Sequence, residues 1–320
     1  MMKTNSNRWF KAIAALCFAS LLAPTTALAQ DDDFGYDLSV EGETKIASGL
    51  KLEMEAGMRT QNDAEDIDRY TVGAALSYKL YQTTDKKFSL KSSAGFEYLW
   101  TQKLQEKDVK YFDATDELVD LGYFNVGDQK GYNISEKYWR NRYRINVGLN
   151  ASYDPNKRWS FSLKETVQYG HYCNASTNRT KWRIDEYNSP ELPDGTIDWQ
   201  TTPWQYNDEY MGEDYKDAEG NVIGKTLNKD VDQKYRKDRT TLRSKLSASY
   251  DIRNFPIDLF ASVDFGVGLN YTANKWKFTV GYDLKINKTN KLSVYYRYTT
   301  EDDDDEVNGH IVGLGYKFEL

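Results

Sequence analysis

The sequence predicts an all-β fold, an antiparallel transmembrane β-barrel of about ten strands (10–12) with two long extracellular loops. Three observations predict it: an alternating C-terminal segment, an export signal at the start, and about nine similar segments between them. Residues 310–320 carry apolar side chains at every second position, which indicates a strand with one apolar face. Membrane barrels consist of such segments, each roughly ten residues long. A soluble β-sandwich has the same periodicity and is the alternative.

The N-terminal segment has the three parts of a secretory signal peptide. Lys3, Arg8 and Lys11 form a basic region, residues 12–23 an apolar run, and residues 27–29 a small-residue cleavage site. We therefore predict a signal peptide over 1–29 and an outer-membrane barrel domain over 30–320, in a bacterial cell outer membrane. Cleavage removes three basic residues and changes the net charge from −7 to −10. The mature chain then keeps one cysteine, Cys173, which cannot form an internal disulfide.

The alternating segments have the length that a tilted membrane strand needs. They lie at 36–46, 50–61, 67–80, 88–102, 138–153, 159–172, 238–250, 257–269, 276–286, 292–300 and 310–320. A mean hydropathy of −0.77 fits a barrel, because only half of each strand faces lipid and the outer loops are polar. No segment of the mature chain approaches 18 consecutive apolar residues, so the sequence predicts no membrane helix.

The connections between these segments alternate between short and long. Short turns are predicted at 81–87, 154–158, 251–256 and 287–291, and longer connections at 103–137, 173–236 and 301–309. Outer-membrane barrels place short turns in the periplasm and long loops outside, which gives the predicted orientation. Aromatic residues near the segment ends fit two interfacial girdles. The inner girdle contains Tyr153, Tyr250, Tyr316, Phe88 and Trp159, and the outer one Trp100, Trp139, Tyr169 and Trp276.

Two features of the pattern do not fit a regular barrel. Residues 50–320 contain ten strands, so segment 36–46 would be an eleventh, whereas bacterial single-chain barrels have even strand numbers. Either this segment lies in the lumen or the periplasm, or a further strand in a long loop makes twelve; we favour ten. In segment 159–172 an unbroken register would point Glu165 at lipid, and we therefore expect a β-bulge there.

Several segments together resemble a known family. These are 138–153 (YWRNRYRINVGLNASY), 236–252, 260–265, 292–298 and 308–320, with a matching N-terminal piece from SVEGETKI to IDRYTVG. They resemble a family of small outer-membrane barrels of Bacteroidota that is known only as a domain of unknown function. The resemblance covers nearly the whole mature chain apart from the two long loops, and it implies the barrel fold. It implies no catalytic residues, and residues 266–277 lack the arginine expected early in the ninth strand.

The inward-facing positions carry most of the informative charge. Over residues 50–320 the alternation places sixteen basic and seven acidic side chains inward, although the whole chain is acidic. The central basic cluster comprises Arg140, Arg142, Arg144, Arg239, Arg243, Lys245 and Arg297. One interpretation is that these side chains fill a narrow barrel with ion pairs. The other is an anion-selective channel or binding cavity.

Other candidate sites are weaker. Loop 173–236 contains an aromatic cluster, Trp182, Trp199 and Trp204, which could stack on sugars but more often packs a loop onto itself. The run Asp302 to Asp305 lacks the spacing of a known calcium loop. His171 and His310 have neither a nearby serine of a catalytic arrangement nor a metal-type partner spacing. We therefore predict no catalytic residue, no metal site and no cofactor.

The leading functional hypothesis is a small pore or scaffold with a basic lumen that binds or passes anionic solutes. The expected partners are outer-membrane lipid and small anions, and an acidic exported chain without a basic tract excludes nucleic acid. One alternative is a barrel enzyme that acts on lipid or protein at the outer leaflet through His171 or His310. Another is a subunit that binds protein partners through its long loops.

Overall fold

The structure is a computed structural model and describes residues 33–183, 192–196, 214–216, 222–225, 230–272, 274–301 and 309–320. The predicted signal peptide lies outside the described residues. The chain divides into two compact units. The first contains the described parts of Met1–Thr101, Asn141–Tyr172 and Lys237–Leu320, and the second those of Gln102–Arg140 and Cys173–Arg236.

The described residues contain seventeen strands and one short helix. In chain order these are β1 (Asp33–Ala47), β2 (Leu50–Gln61), β3 (Asp66–Gln82), β4 (Phe88–Lys103), β5 (Glu106–Tyr111), α1 (Glu117–Asp120), β6 (Gln129–Ser135), β7 (Tyr138–Tyr153), β8 (Trp159–Tyr172), β9 (Ala175–Arg183), β10 (Asp214–Lys216), β11 (Val222–Lys225), β12 (Asp230–Lys234), β13 (Arg239–Asp251), β14 (Ile257–Gly268), β15 (Asn274–Lys285), β16 (Asn290–Glu301) and β17 (Gly309–Glu319). Among these residues, no helix is long and apolar enough to cross a membrane.

Eleven of the strands form a closed barrel, which confirms the predicted fold class. Their order around the wall is β1-β17-β16-β15-β14-β13-β8-β7-β4-β3-β2. The ten strands predicted between residues 50 and 320 are all present, with ends within about two residues of the predicted ends. The strand ends are predicted well because a strand in contact with lipid has apolar residues at every second position over its whole membrane-spanning length.

Segment 36–46 is the eleventh strand of the wall, and both predicted positions for it, in the lumen or in the periplasm, are wrong. It belongs to β1, which pairs in parallel with β17 and antiparallel with β2. The even strand number was expected because closure between antiparallel strands requires it. A parallel pair at the closure removes that requirement and permits eleven.

The two faces of the wall have opposite chemistry. Large apolar side chains at alternate positions point outward and are exposed, for example Val147 at 57%, Leu246 at 59% and Val280 at 54%. The residues between them are mostly charged or hydroxyl-bearing and point into the lumen. This arrangement stabilises the wall only where an apolar medium covers its outer face.

The bulge predicted at Glu165 is absent. The register of β8 runs without a shift against both β7 and β13, so Glu165 lies on the outward face between Leu149 and Ser244. The Ser244 hydroxyl donates a hydrogen bond to its carboxylate at 2.6 Å. Register shifts occur instead in pairs involving β1, β2, β3 and β4, and the shift after Arg59 places the carboxylate of Asp68 against the guanidinium of Arg69, at 2.7 Å.

The segments predicted as two long loops contain regular structure of their own. They form a four-stranded sheet in the order β12-β9-β6-β5, a separate pair β10-β11, and helix α1. Phe112 and Phe124 stack at 4.6 Å between ring centroids beside α1, and Lys130 pairs with Asp116. The strands are short and lack sustained alternation, so the sequence pattern did not indicate them.

Candidate functional site

The lumen of the barrel contains a cavity with a volume of about 470 Å3. A second cavity of about 270 Å3 shares part of its lining. Charged and hydroxyl-bearing residues make up most of the lining of both cavities. A volume of this size falls in the range of small-molecule sites, roughly 300–1,000 Å3.

An acidic row runs across four neighbouring strands on one side of the lumen. Glu41 of β1 is the direct cross-strand partner of Glu55 of β2, Glu55 pairs with Gly73 of β3, and Gly73 pairs with Glu97 of β4. All three carboxylates line both cavities. Gly73 adds no side chain to the row, and a Cβ atom there would lie 3.0 Å from the Cγ atom of Glu97.

Among the described residues, the ion pairs of the acidic row lie at its two ends. Lys317 lies 3.6 Å from Glu41. At the other end Arg144 lies 3.7 Å from Glu97, and the amide of Asn146 donates to the same carboxylate at 2.7 Å. Within the described part of the chain, no cationic atom lies within 4.0 Å of the Glu55 carboxylate in the middle of the row.

A basic row lies on the opposite side. Lys245 of β13 pairs across the strands with Lys164 of β8 and with Asp264 of β14, and Asp264 pairs with Lys277 of β15. Asp264 also forms a two-pronged ion pair with Arg243. No carboxylate oxygen of the described residues lies within 4.0 Å of the ammonium group of Lys164 or Lys245.

A belt of hydroxyl groups continues around the lumen beside the basic row. Ser162, Ser247, Ser262 and Thr279 are successive cross-strand partners on β8, β13, β14 and β15, and Arg297 of β16 follows them. All five side chains line the larger cavity. Hydroxyl groups both donate and accept hydrogen bonds, so this belt can replace part of the hydration shell of a polar solute.

The closure between β1 and β17 is bridged on the lumen side by Asp37. Its carboxylate accepts a hydrogen bond from Arg297 of β16 at 3.1 Å and one from Arg59 of β2 at 3.4 Å. Asp37 therefore connects strands on either side of the parallel pair. It is also one of three acidic residues that β1 adds to the cavity lining, with Glu41 and Glu43.

These residues change the predicted charge of the lumen. Nine basic and seven acidic side chains line the two cavities, a net of two positive charges. Segment 36–46 was not expected in the wall, so three of those seven carboxylates were absent from the predicted lumen. Their signal was present, because Asp37, Glu41 and Glu43 alternate with Leu38 and Val40.

The residues of the predicted basic cluster fall into three places. Arg144, Arg243, Lys245 and Arg297 line the larger cavity. Arg142 and Arg239 instead lie over aromatic rings: Arg142 over Tyr172 at 4.4 Å and Arg239 over Tyr271 at 4.4 Å. Arg140 belongs to the second unit, where it donates to the carbonyl oxygen of Lys234.

The predicted aromatic cluster of loop 173–236 is largely outside the described residues. Trp182 lies in strand β9, paired with Tyr132, and Trp199 and Trp204 are not among the described residues. The acidic run Asp302 to Asp305 also lies outside them. Among the described residues, no group of three or more histidine, cysteine, aspartate or glutamate side chains could hold a metal ion.

Each histidine lies beside a polar partner near a strand end. His171 contacts Asp238 at 2.8 Å and stacks on Tyr143, and the Tyr169 hydroxyl donates to the same Asp238 carboxylate. These hydrogen bonds, first that from Tyr169 and then that from His171, hold the pKa of Asp238 below its usual value. His310 contacts the hydroxyl of Tyr296. The described contacts of His171 include no serine hydroxyl, so they form no nucleophile-and-base pair.

No family model and no curated protein matches the chain. Two solved structures of the toluene transporter TodX of Pseudomonas putida are similar to it. One has 8% identity and a TM-score of 0.36, and the match covers 91% of this chain and 81% of that one. The other has 10% identity and a TM-score of 0.31, with 85% and 76% covered. At these scores the likeness supports no conclusion about function.

Proposed function

We propose that this chain is an exported outer-membrane barrel whose lumen admits small hydrophilic solutes. The observation that carries the proposal is the opposite chemistry of the two faces of the wall, which enclose a polar cavity of about 470 Å3. Soluble monomers rarely expose contiguous apolar patches beyond a few hundred Å2. A closed barrel satisfies its backbone groups within the wall, which is what a lipid environment requires.

The charged lining supports solutes with ionic groups rather than neutral ones. The basic row of Lys164, Lys245 and Lys277 offers a site for carboxylate or phosphate groups. The three carboxylates of β1 reduce the anion preference that the sequence analysis predicted. The cationic groups of Arg142 and Arg239 are engaged with aromatic rings and do not line either cavity.

Membrane insertion is tested on detergent-extracted membranes with a heat-modifiability gel. A folded barrel should migrate differently from the boiled chain. A mature chain that stays soluble and monodisperse without detergent would contradict the proposal. The pore is tested by conductance of the purified protein in planar bilayers under a salt gradient.

Lys245→Glu should lower the preference for anions over cations, because Lys245 lines both cavities. The matched control is Lys79→Glu. Lys79 also points inward, but its ammonium group contacts Gln82 and it lines neither cavity. Equal effects of both variants would show that general charge, and not this row, determines ion preference. No conductance, together with no solute entry into liposomes, would contradict the pore.

A further inference from the structure

The acidic and basic rows lie on opposite sides of one cavity. In the ring of eleven strands, β2 and β13 are separated by five strands in one direction and four in the other, so they face each other across the lumen. Glu55 of β2 is the middle residue of the acidic row, and Lys245 of β13 belongs to the basic row. Both side chains line the larger cavity and the smaller one.

The charged groups in the middle of both rows form no close ion pair within the described part of the wall. The described residues place no counter-charge within 4.0 Å of Glu55, Lys164 or Lys245. Opposite charges that face each other across a low-dielectric enclosure produce a field directed across the lumen. Such a field exerts little net force on a neutral solute but orients a solute that carries both charges.

We propose that the lumen selects small zwitterionic solutes, molecules with an ammonium and a carboxylate group such as a free amino acid. The carboxylate binds at the basic row beside Lys164 and Lys245, and the ammonium group binds at the acidic row beside Glu55. The inference rests on the proposed pore and names its substrate class. It differs from an anion pore because the acidic row repels a simple anion that the basic row attracts.

The rest of the cavity fits this class of solute. A volume of about 470 Å3 corresponds to roughly fifteen water molecules, which leaves room for a small solute with some of its hydration shell. The hydroxyl belt of Ser162, Ser247, Ser262 and Thr279 offers hydrogen bonds beside the basic row. Charged and hydroxyl-bearing residues make up most of the lining of the larger cavity, so we expect the charge and size of a solute to affect its entry more than its hydrophobicity does.

The test compares four solutes of nearly equal size in liposomes that contain the purified barrel. Alanine is zwitterionic at pH 7, lactate anionic, alaninamide cationic and lactamide neutral. Entry is measured with equal potassium on both sides and valinomycin present, so that no diffusion potential opposes the charged solutes. We expect alanine to enter about three- to tenfold faster than lactate, the ratio expected for one or two exposed charge pairs.

Variants then test which row binds the carboxylate of the solute and which row binds its ammonium group. Glu41→Gln/Glu55→Gln/Glu97→Gln should make lactate faster than alanine, and Lys164→Met/Lys245→Met should favour alaninamide. Lys79→Gln is the control, and the heat-modifiability gel verifies that each variant folds.

The outcomes separate this inference from the pore itself. Lactate entering faster than alanine in the unmodified protein, or alanine entering no faster than lactamide, overturns the zwitterion site and leaves the pore in place. If none of the four solutes enters faster than into protein-free liposomes, the proposed pore fails as well.

Discussion

The ring of Tyr295 lies over Gly313 on the neighbouring strand, on the lumen side of the wall. The two residues are direct cross-strand partners on β16 and β17. A Cβ atom at Gly313 would come within 3.0 Å of the ring, a separation that real Cβ atoms do not show. Gly313 is also the partner of Asp37 on β1, so its strand lies between the strands of Tyr295 and Asp37. Glycine in a strand often marks such a close approach.

Gly313→Ala should therefore destabilise the barrel, because the added methyl group forces the Tyr295 ring away from the wall. Overpacking of this kind costs about 1–3 kcal/mol. The measurement is urea unfolding of the barrel in lipid or detergent. Gly266→Ala is the control, since the nearest atom to its added Cβ is 3.5 Å away. The Tyr295→Ala background should remove most of the cost of Gly313→Ala, and equal costs in both backgrounds would contradict the contact.

The parallel closure can be tested with cysteine pairs. Leu38 of β1 and Leu314 of β17 are direct partners, and both point outward. With Cys173→Ser as background, Leu38→Cys/Leu314→Cys should react with a short thiol crosslinker and give an intramolecular product. Leu38→Cys/Gly315→Cys is the control, because a shift of one residue places the second thiol on the opposite face. A control pair that crosslinks as well as the test pair, or a β1 thiol that reaches neither position, would contradict the eleven-stranded wall.

The strand positions were predictable because each strand alternates on its own, and the strand ends at 50–61, 138–153 and 159–172 needed no other information. The closure was not predictable, since it depends on which edge β1 joins and in which direction. The two charged rows were also out of reach. They follow from the pairing registers that place Glu41 beside Glu55 and Lys164 beside Lys245. The register between two strands cannot be determined from the alternation within each strand.

At Glu165 the predicted face was right and the predicted bulge was wrong. The alternation of β8 correctly predicts that Glu165 lies on the outward face. The bulge was expected because a carboxylate in contact with lipid is unfavourable. The structure keeps the regular register and provides the Ser244 hydroxyl from the neighbouring strand. A local hydrogen bond of this kind depends on cross-strand pairing, which parity along one strand cannot predict.

The hydrogen bonds at Asp238 predict that the stability of the structure around this residue depends on pH. Because they hold the pKa of Asp238 below its usual value, their stabilising contribution is complete above about pH 3.9, the unfolded value, and is lost as the pH falls through the lower native pKa. Carbon-13 NMR of the labelled side chain should show an inflection below that value. Tyr169→Phe should move the inflection upward, and Tyr153→Phe, at the other end of the wall, should not. An unshifted inflection in Tyr169→Phe would contradict the contact.

The outer wall predicts that lysine substitutions at two adjacent residues of β13 have effects of very different size. Leu246 points outward and is exposed, whereas Ser247 lines the lumen cavity. If lipid covers the wall, Leu246→Lys should lower the free energy of unfolding in liposomes by about 2–4 kcal/mol, the cost of a lysine at the bilayer midplane. Ser247→Lys should have a much smaller effect, since its charge lies in the polar lumen. Similar effects of the two substitutions would mean that the outward face is not in lipid.

Glu165 is a position at which a substitution should increase the stability of the barrel. Its carboxylate lies on the apolar outer face with one described hydrogen bond, from Ser244, and Leu149 is its partner on β7. Glu165→Leu in a Ser244→Ala background should raise the free energy of unfolding in liposomes by about 1–2 kcal/mol over Ser244→Ala alone, less than the cost of a lysine or arginine at the same depth. Ser244→Ala alone should be destabilising, because it leaves the carboxylate without that partner. If Glu165→Leu instead lowers stability in both backgrounds, the carboxylate binds something other than Ser244, and a partner on the outer wall replaces lipid at that position.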